Sequence, residues 1–240
     1  MSLAFVLDHR ADVDPDGDVI SDGSQSLTND ALLPRVRAAS RHLRDLGVRP
    51  GDVVGLKLTN RIEFVVLLFA AWRLGAAVTP VDPSLPNGDV DRQLDDAGAR
   101  LLVTEDTTTA HTSVTTLAVD TLNQCLGWED LPAPPDPSAL ALLIYTSGTT
   151  GGPNGVMLDH AKVDAMAAME RDALELGPAD RCRLNLPLFH VNGIVVSVLT
   201  PLLAGASIVI ADRFDPKNAI GHIDKRELRA AHDLSNGSNR

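Results

Sequence analysis

Between residues 53 and 81 the chain alternates in a way that leaves few folds open. Residues 53–58, Val-Val-Gly-Leu-Lys-Leu, form an apolar run of strand length. Residues 63–74 form an almost wholly apolar run of helix length that Gly75 stops, and residues 77–81 make a second short apolar run. Strand, buried helix and strand joined by short turns make a parallel pair with a crossover helix. The alternation continues with a helix over 88–97 and a strand over 100–104. The fold class predicted is therefore α/β, with mainly parallel sheets flanked by helices. On such sheets ligands sit beyond the carboxyl ends of the strands.

Upstream, Leu32, Val36, Ala39, Leu43 and Leu46 recur at spacings of four and three, which places them on one face of a helix that Gly47 ends. Pro34 lacks an amide and crowds the preceding turn, so this helix is expected to begin near Leu33 or to kink there. Downstream come a strand over 139–145, a long helix over about 160–176, a helix over 194–203 and a strand over 207–211. The Thr-rich stretch 104–116 and the Pro-rich stretch 131–138 read as surface connections.

With 240 residues, 44% of them hydrophobic, the chain has material for one large core or two small ones. Its formal net charge of −11 opposes an extended footprint on nucleic acid or anionic lipid, so any anion it binds must be held locally. The two cysteines, Cys125 and Cys182, lack metal-like spacing and point to buried thiols in a reducing compartment. No apolar stretch reaches the ~18 residues of a membrane span. The first residues break into charge too soon for a signal peptide, so a cytoplasmic protein is expected.

One loop is built for local anion binding. After the apolar run 139–145 comes Tyr145-Thr-Ser-Gly-Thr-Thr-Gly-Gly-Pro-Asn-Gly-Val156, in which hydroxyls alternate with bare backbone amides. Such a chain can wrap phosphate oxygens closely. It is not a Walker A loop, because no Lys follows its last Gly.

With its flanks, this stretch resembles the phosphate-binding signature of the adenylate-forming enzymes: acyl-CoA synthetases, adenylation domains and luciferases. Residues 43–56 and 71–83 are similar to that family's early architectural stretches, and residues 214–223 still look family-like. The resemblance implies that Thr146, Ser147, Gly148, Thr149, Thr150, Gly151, Gly152 and Gly155 grip the phosphates of ATP, with Pro153 shaping the turn. A second stretch, Leu184-Asn-Leu-Pro-Leu-Phe-His-Val-Asn-Gly-Ile194, looks like the family's acyl-pocket motif, entering a helix near Gly193. It implies that His190 lies beside the carboxylate being activated. Its form is closer to acyl-CoA ligases than to amino-acid-activating domains, so a hydrophobic, fatty acyl group is the expected substrate.

The reaction implied has two steps: a carboxylate attacks the α-phosphate of ATP to give acyl-adenylate and pyrophosphate, then the thiol of CoA displaces AMP. ATP, Mg2+ and CoA are the cofactors implied, although neither the Mg2+ nor the CoA site can be placed on these residues. The chain departs from the family at Asn154, where a Lys is usual, replacing a full cation with a neutral amide. Residues 1–225 read as a partial amino-terminal AMP-binding domain and residues 226–240 as a polar tail unlike the family, with the small carboxy-terminal domain absent.

Three functional readings follow. The chain is the amino-terminal part of an acyl-CoA ligase, or a nucleotide-binding module without turnover, or one half of a split ligase that pairs with a complementary chain through an exposed sheet edge. A sheet stopped midway favours association, so a poorly soluble or self-associating protein is expected.

Overall fold

The computed structural model describes residues 2–107, 114–124, 135–146 and 154–211. Cys125, residues 131–134, the loop residues 147–153, and residues 214–223 and 226–240 lie outside the described residues.

In chain order the elements are α1 (Val6–Val13), β1 (Asp18–Ser21), β2 (Ser26–Thr28), α2 (Asn29–Asp45), β3 (Val53–Lys57), α3 (Ile62–Arg73), β4 (Ala77–Pro80), α4 (Asn87–Asp96), β5 (Ala99–Thr104), β6 (Thr115–Ala118), β7 (Leu140–Thr146), β8 (Asn154–Asp159), α5 (His160–Ala173), β9 (Arg181–Leu184), α6 (Val191–Ile194), α7 (Thr200–Ala204) and β10 (Ser207–Ile210). They form two sheets: a six-stranded one in the order β6-β5-β3-β4-β7-β8, and a four-stranded one in the order β2-β1-β10-β9. Pairing is parallel except in the β1/β2 and β7/β8 hairpins. The predicted α/β class with mainly parallel sheets is therefore what the chain adopts.

Helix α3 holds the centre. All its residues except Glu63 are buried, as expected of a helix that is apolar all round. It packs on β4 and on α2, and α2 in turn touches β1 and β2 of the smaller sheet. Helices α5 and α7 pack on each other, with α5 against β7 and β8 and α7 against β10. A helical layer thus joins the two sheets. Trp72 stitches it to the larger sheet, donating its indole N–H to the Ala141 carbonyl at 2.9 Å. On the opposite face of that sheet, Val90 and Leu94 of α4 make a small separate core with Val81 and Leu102.

Helix α2 begins at Asn29, so of the two alternatives that Pro34 left open the start near Leu33 is not the one taken. Thr28 caps it, its hydroxyl accepting from the Ala31 amide at 3.3 Å. Pro34 stays inside the helix because it is exposed, as is Asp30, whose carbonyl would have received the missing amide, so water can serve that oxygen. Leu32, Val36, Ala39 and Leu43 are buried as predicted, but Leu46 is 37% exposed because the helix ends before it. Helix α1 was not anticipated. Its buried Asp8 pairs with Arg37 of α2 at 3.0 Å and Arg73 of α3 at 2.5 Å, which offsets the cost of burying a carboxylate. Among the described residues no helix is long and apolar enough to cross a membrane.

Candidate functional site

The candidate phosphate loop springs from a hairpin. Strand β7 was expected to run through a turn into a helix, but the chain returns as β8, antiparallel to β7, before α5 begins. Its register pairs Ile144 with Val156, Tyr145 with Gly155 and Thr146 with Asn154. Thr146 and Asn154 therefore form the fixed mouth of a loop whose seven residues, 147–153, include Ser147, Gly148, Thr149, Thr150, Gly151 and Gly152. The backbone positions at that mouth are set by a ladder rather than by the loop itself.

Gly155 has a clear packing reason. A Cβ there would stand 3.0 Å from Leu143 Cδ1 and 3.2 Å from Tyr145 Cζ, so the bare glycine makes room for the tyrosine ring. Tyr145 in turn donates its hydroxyl to Asp96 Oδ2 at 2.5 Å, tying the hairpin to the end of α4. Burial foremost, and then this carboxylate partner, push the phenol well above its ordinary range and keep it a donor. Of the predicted phosphate-binding set, Gly155 thus shapes the hairpin's packing, Thr146 stands exposed at its mouth, and the other six lie outside the described residues.

The second stretch is a turn clamped from outside. After β9 ends at Leu184, the chain folds over Asn60, whose side-chain amide bonds both sides of the turn. Asn60 Nδ2 donates to the Leu186 carbonyl at 2.9 Å, and Asn60 Oδ1 accepts from the Leu188 amide at 2.9 Å. The His190 amide donates to the Pro187 carbonyl at 3.1 Å, closing the turn, and its carbonyl accepts from Ile194 at 3.2 Å, opening the helix. His190 is exposed, its ring centroid 4.5 Å from that of Phe189.

Helix α6 starts at Val191, two residues earlier than expected, and runs through a π-helical turn, Val195–Leu199, into α7. Such wide turns are frequent at functional sites. Gly193 is needed where this helix meets the turn, since a Cβ would fall 2.2 Å from the Pro187 carbonyl oxygen.

Asn60 sits just past the carboxyl end of β3, on a loop that is itself pinned. The Thr59 amide and hydroxyl both donate to Glu105 Oε1, at 2.9 and 2.6 Å. Arg61 lies 2.8 Å from Glu63, 3.5 Å from Glu105 and 3.8 Å from Asp120. Burial alone would weaken the guanidinium's charge, but its bond to Glu63 and the charges of Glu63 and Glu105 outweigh it, so its pKa is raised. Sequence reasoning gave Asn60 no role. The signal available was its position, after a strand's carboxyl end.

Strands β3, β4 and β7 are adjacent and parallel, so their carboxyl ends lie on one side of the sheet. The Asn60-held turn and the mouth at Thr146 therefore share that side, two strand spacings or about 10 Å apart along it. Among the described residues no group of three or more His, Cys, Asp or Glu side chains is arranged to hold a metal ion, and none is assigned to Mg2+.

The AMP-binding enzyme family matches residues 7–231. The chain is 31% identical to tyrocidine synthase 3 of Brevibacillus parabrevis, over 98% of this chain and 4% of that one. It is 35% identical to 4-coumarate-CoA ligase 1 of Oryza sativa subsp. japonica, over 84% of this chain and 40% of that one. The chain thus spans well under two thirds of these relatives' lengths. Among solved structures, O-succinylbenzoate coenzyme A synthetase from Bacillus subtilis, in complex with AMP, superposes with a TM-score of 0.80 at 26% identity, covering 96% of this chain and 58% of that one. The family match over nearly the whole length, with the α/β fold shared with this solved structure, makes this chain a member of the AMP-binding, adenylate-forming enzymes.

Proposed function

We propose that this chain carries the phosphate-gripping and carboxylate-lining part of a ligase that activates a carboxylic acid as its adenylate and passes the acyl group to the thiol of CoA. The observation that carries the reading is the Thr146–Asn154 pair at the root of a seven-residue hydroxyl- and glycine-rich loop, on the same side of the sheet as the turn leading to His190. In the first step negative charge shifts onto pyrophosphate, and fixed N–H and O–H donors stabilise it best when they need no reorganisation. Thr146, Ser147, Thr149 and Thr150 supply hydroxyls, and the backbone around Gly148, Gly151 and Gly152 supplies amides. Mg2+, when bound, would neutralise part of the triphosphate charge. His190 lines the acid's pocket, and an apolar acyl or aryl-acyl group suits the half-buried Leu186 and Phe189 beside it.

A second reading, nucleotide binding without turnover, is favoured by one residue. Asn154 is exposed at the loop's mouth and brings an amide where a cation would add charge attraction for phosphate. The test is calorimetric titration of ATP and AMP with Mg2+ into the chain and into Asn154→Lys. Saturable binding that tightens in the variant, by roughly tenfold for a contact of ~1–2 kcal/mol, supports a phosphate-gripping loop. No binding by either folded protein would overturn both readings. Pyrophosphate release on adding an acid separates the ligase from the binding module.

A further inference from the structure

We infer that Asn60 is a positioning residue for the acid pocket: it sets where the 186–190 turn, and with it the His190 ring, stands relative to the mouth at Thr146 and Asn154. This rests on the reading of His190 as a pocket residue. The two bonds that Asn60 makes reach a carbonyl and an amide only two residues apart, Leu186 and Leu188, each at 2.9 Å. A primary amide holds an N–H donor and a carbonyl acceptor side by side in a single plane, the pattern that a strand residue presents to its neighbour. Asn60 thereby substitutes for a strand partner at a point where the chain has left β9 and has no ladder. Asp has the same size but turns the donor into a second acceptor facing the Leu186 carbonyl. Gln is longer by a methylene, and Ser offers only one short hydroxyl.

The clamp crosses between the sheets. Asn60 hangs from β3 of the larger sheet, whereas the turn follows β9 of the smaller one, and the two residues bonded are 126 and 128 positions away in sequence. Behind Asn60, Thr59 and Arg61 are anchored on Glu105 and Glu63, so its backbone has little freedom to follow a moving turn. From the other side Gly193 lets α6 press on the Pro187 carbonyl, where a Cβ would come to 2.2 Å. The turn is held between a fixed amide and a helix end, and His190 is its last residue, directly before α6. The phosphate loop hangs from β7 of the same sheet as Asn60. The same sheet therefore carries both the clamp and the mouth at Thr146 and Asn154, and the distance from phosphate to acid is referred to that sheet.

The test is a double-mutant cycle with two readouts on the intact chain, using 4-coumarate and hexanoate as probe acids and ATP as the control ligand. Asn60→Asp is expected to weaken binding of the acid that the wild type takes by roughly tenfold, to leave ATP affinity within about twofold, and to cost no more in combination with His190→Ala than His190→Ala costs alone. Asn60→Ser, which leaves no like-charged oxygen behind, is expected to fall between wild type and Asn60→Asp. Ring signals of His190 in imidazole NMR, identified by their loss in His190→Ala, should shift or broaden in Asn60→Asp with no ligand present. Additive losses, or unmoved ring signals, overturn the proposal. If His190→Ala or the wild type shows no acid-dependent difference while the ring still moves in Asn60→Asp, the pocket reading fails and the positioning of His190 stands.

Discussion

His160, the first residue of α5, is only 2% exposed, and neither ring nitrogen has a hydrogen-bond partner. Its ring meets Trp72 edge to face at 5.2 Å. Burial lowers its pKa below the usual 6.5, more than the neighbouring Asp159 raises it. The sign follows directly: the folded chain resists the proton that the unfolded chain accepts, so stability is full above pH 6.5 and falls as pH drops below it. The slope for one such group is at most about 1.4 kcal/mol per pH unit. Denaturant titrations at pH 7 and 5.5 should show this loss, and His160→Phe, which keeps a ring against Trp72, should flatten it. Equal pH dependence in the two proteins would remove His160 from the account. The sequence displayed this residue plainly, but burial is a property of the neighbours that fold over it, and Trp72 lies 88 positions away.

At the scale of elements, what the sequence made legible was whatever repeats with a period. Strands β3 and β4 and helices α2, α3 and α4 fall within a few residues of their predicted bounds because their apolar positions face a core, the main one for α2 and α3 and the small separate one for α4. Helix α1 was hidden because it buries Asp8 and Arg10, so charge marks its inner face. Strand β8 was hidden for the opposite reason: it lies at an edge, from Asn154 to Met157 it buries nothing, and no alternation is imposed on it. The chemistry of the loop was readable from composition, but the hairpin that presents it was not. Packing at Gly155 tests that hairpin. Gly155→Val drives a side chain into Leu143 and the Tyr145 ring, and an overpacked site of this kind costs about 1–3 kcal/mol. Thermal melting should fall accordingly and ATP binding should weaken with it; an unchanged melting temperature would mean that the ring yields freely.

For the whole molecule, the edges matter most. Strand β8 closes one side of the larger sheet with Val156 47% and Met157 63% exposed, and Met169 of α5 is 71% exposed. An apolar edge that no described strand covers invites another chain. Light scattering at rising concentration should show self-association of the wild type and less of it in Met157→Lys, which sets a charge on that edge; a wild type that stays monomeric at high concentration would discard the idea. The order of construction also follows from the strand order. Every strand of the larger sheet comes from residues 53–159, whereas the smaller sheet joins β1 and β2 to β9 and β10, with Ile20 beside Ile208. At roughly 5–20 residues per second, β1 leaves the ribosome about 10–40 s before its parallel neighbour exists. In that interval β1 has only its hairpin partner β2, and the edge that will meet β10 stays open while the larger sheet can already close around α3. The molecule is built from its middle outward, and its oldest strand is among the last to find its place.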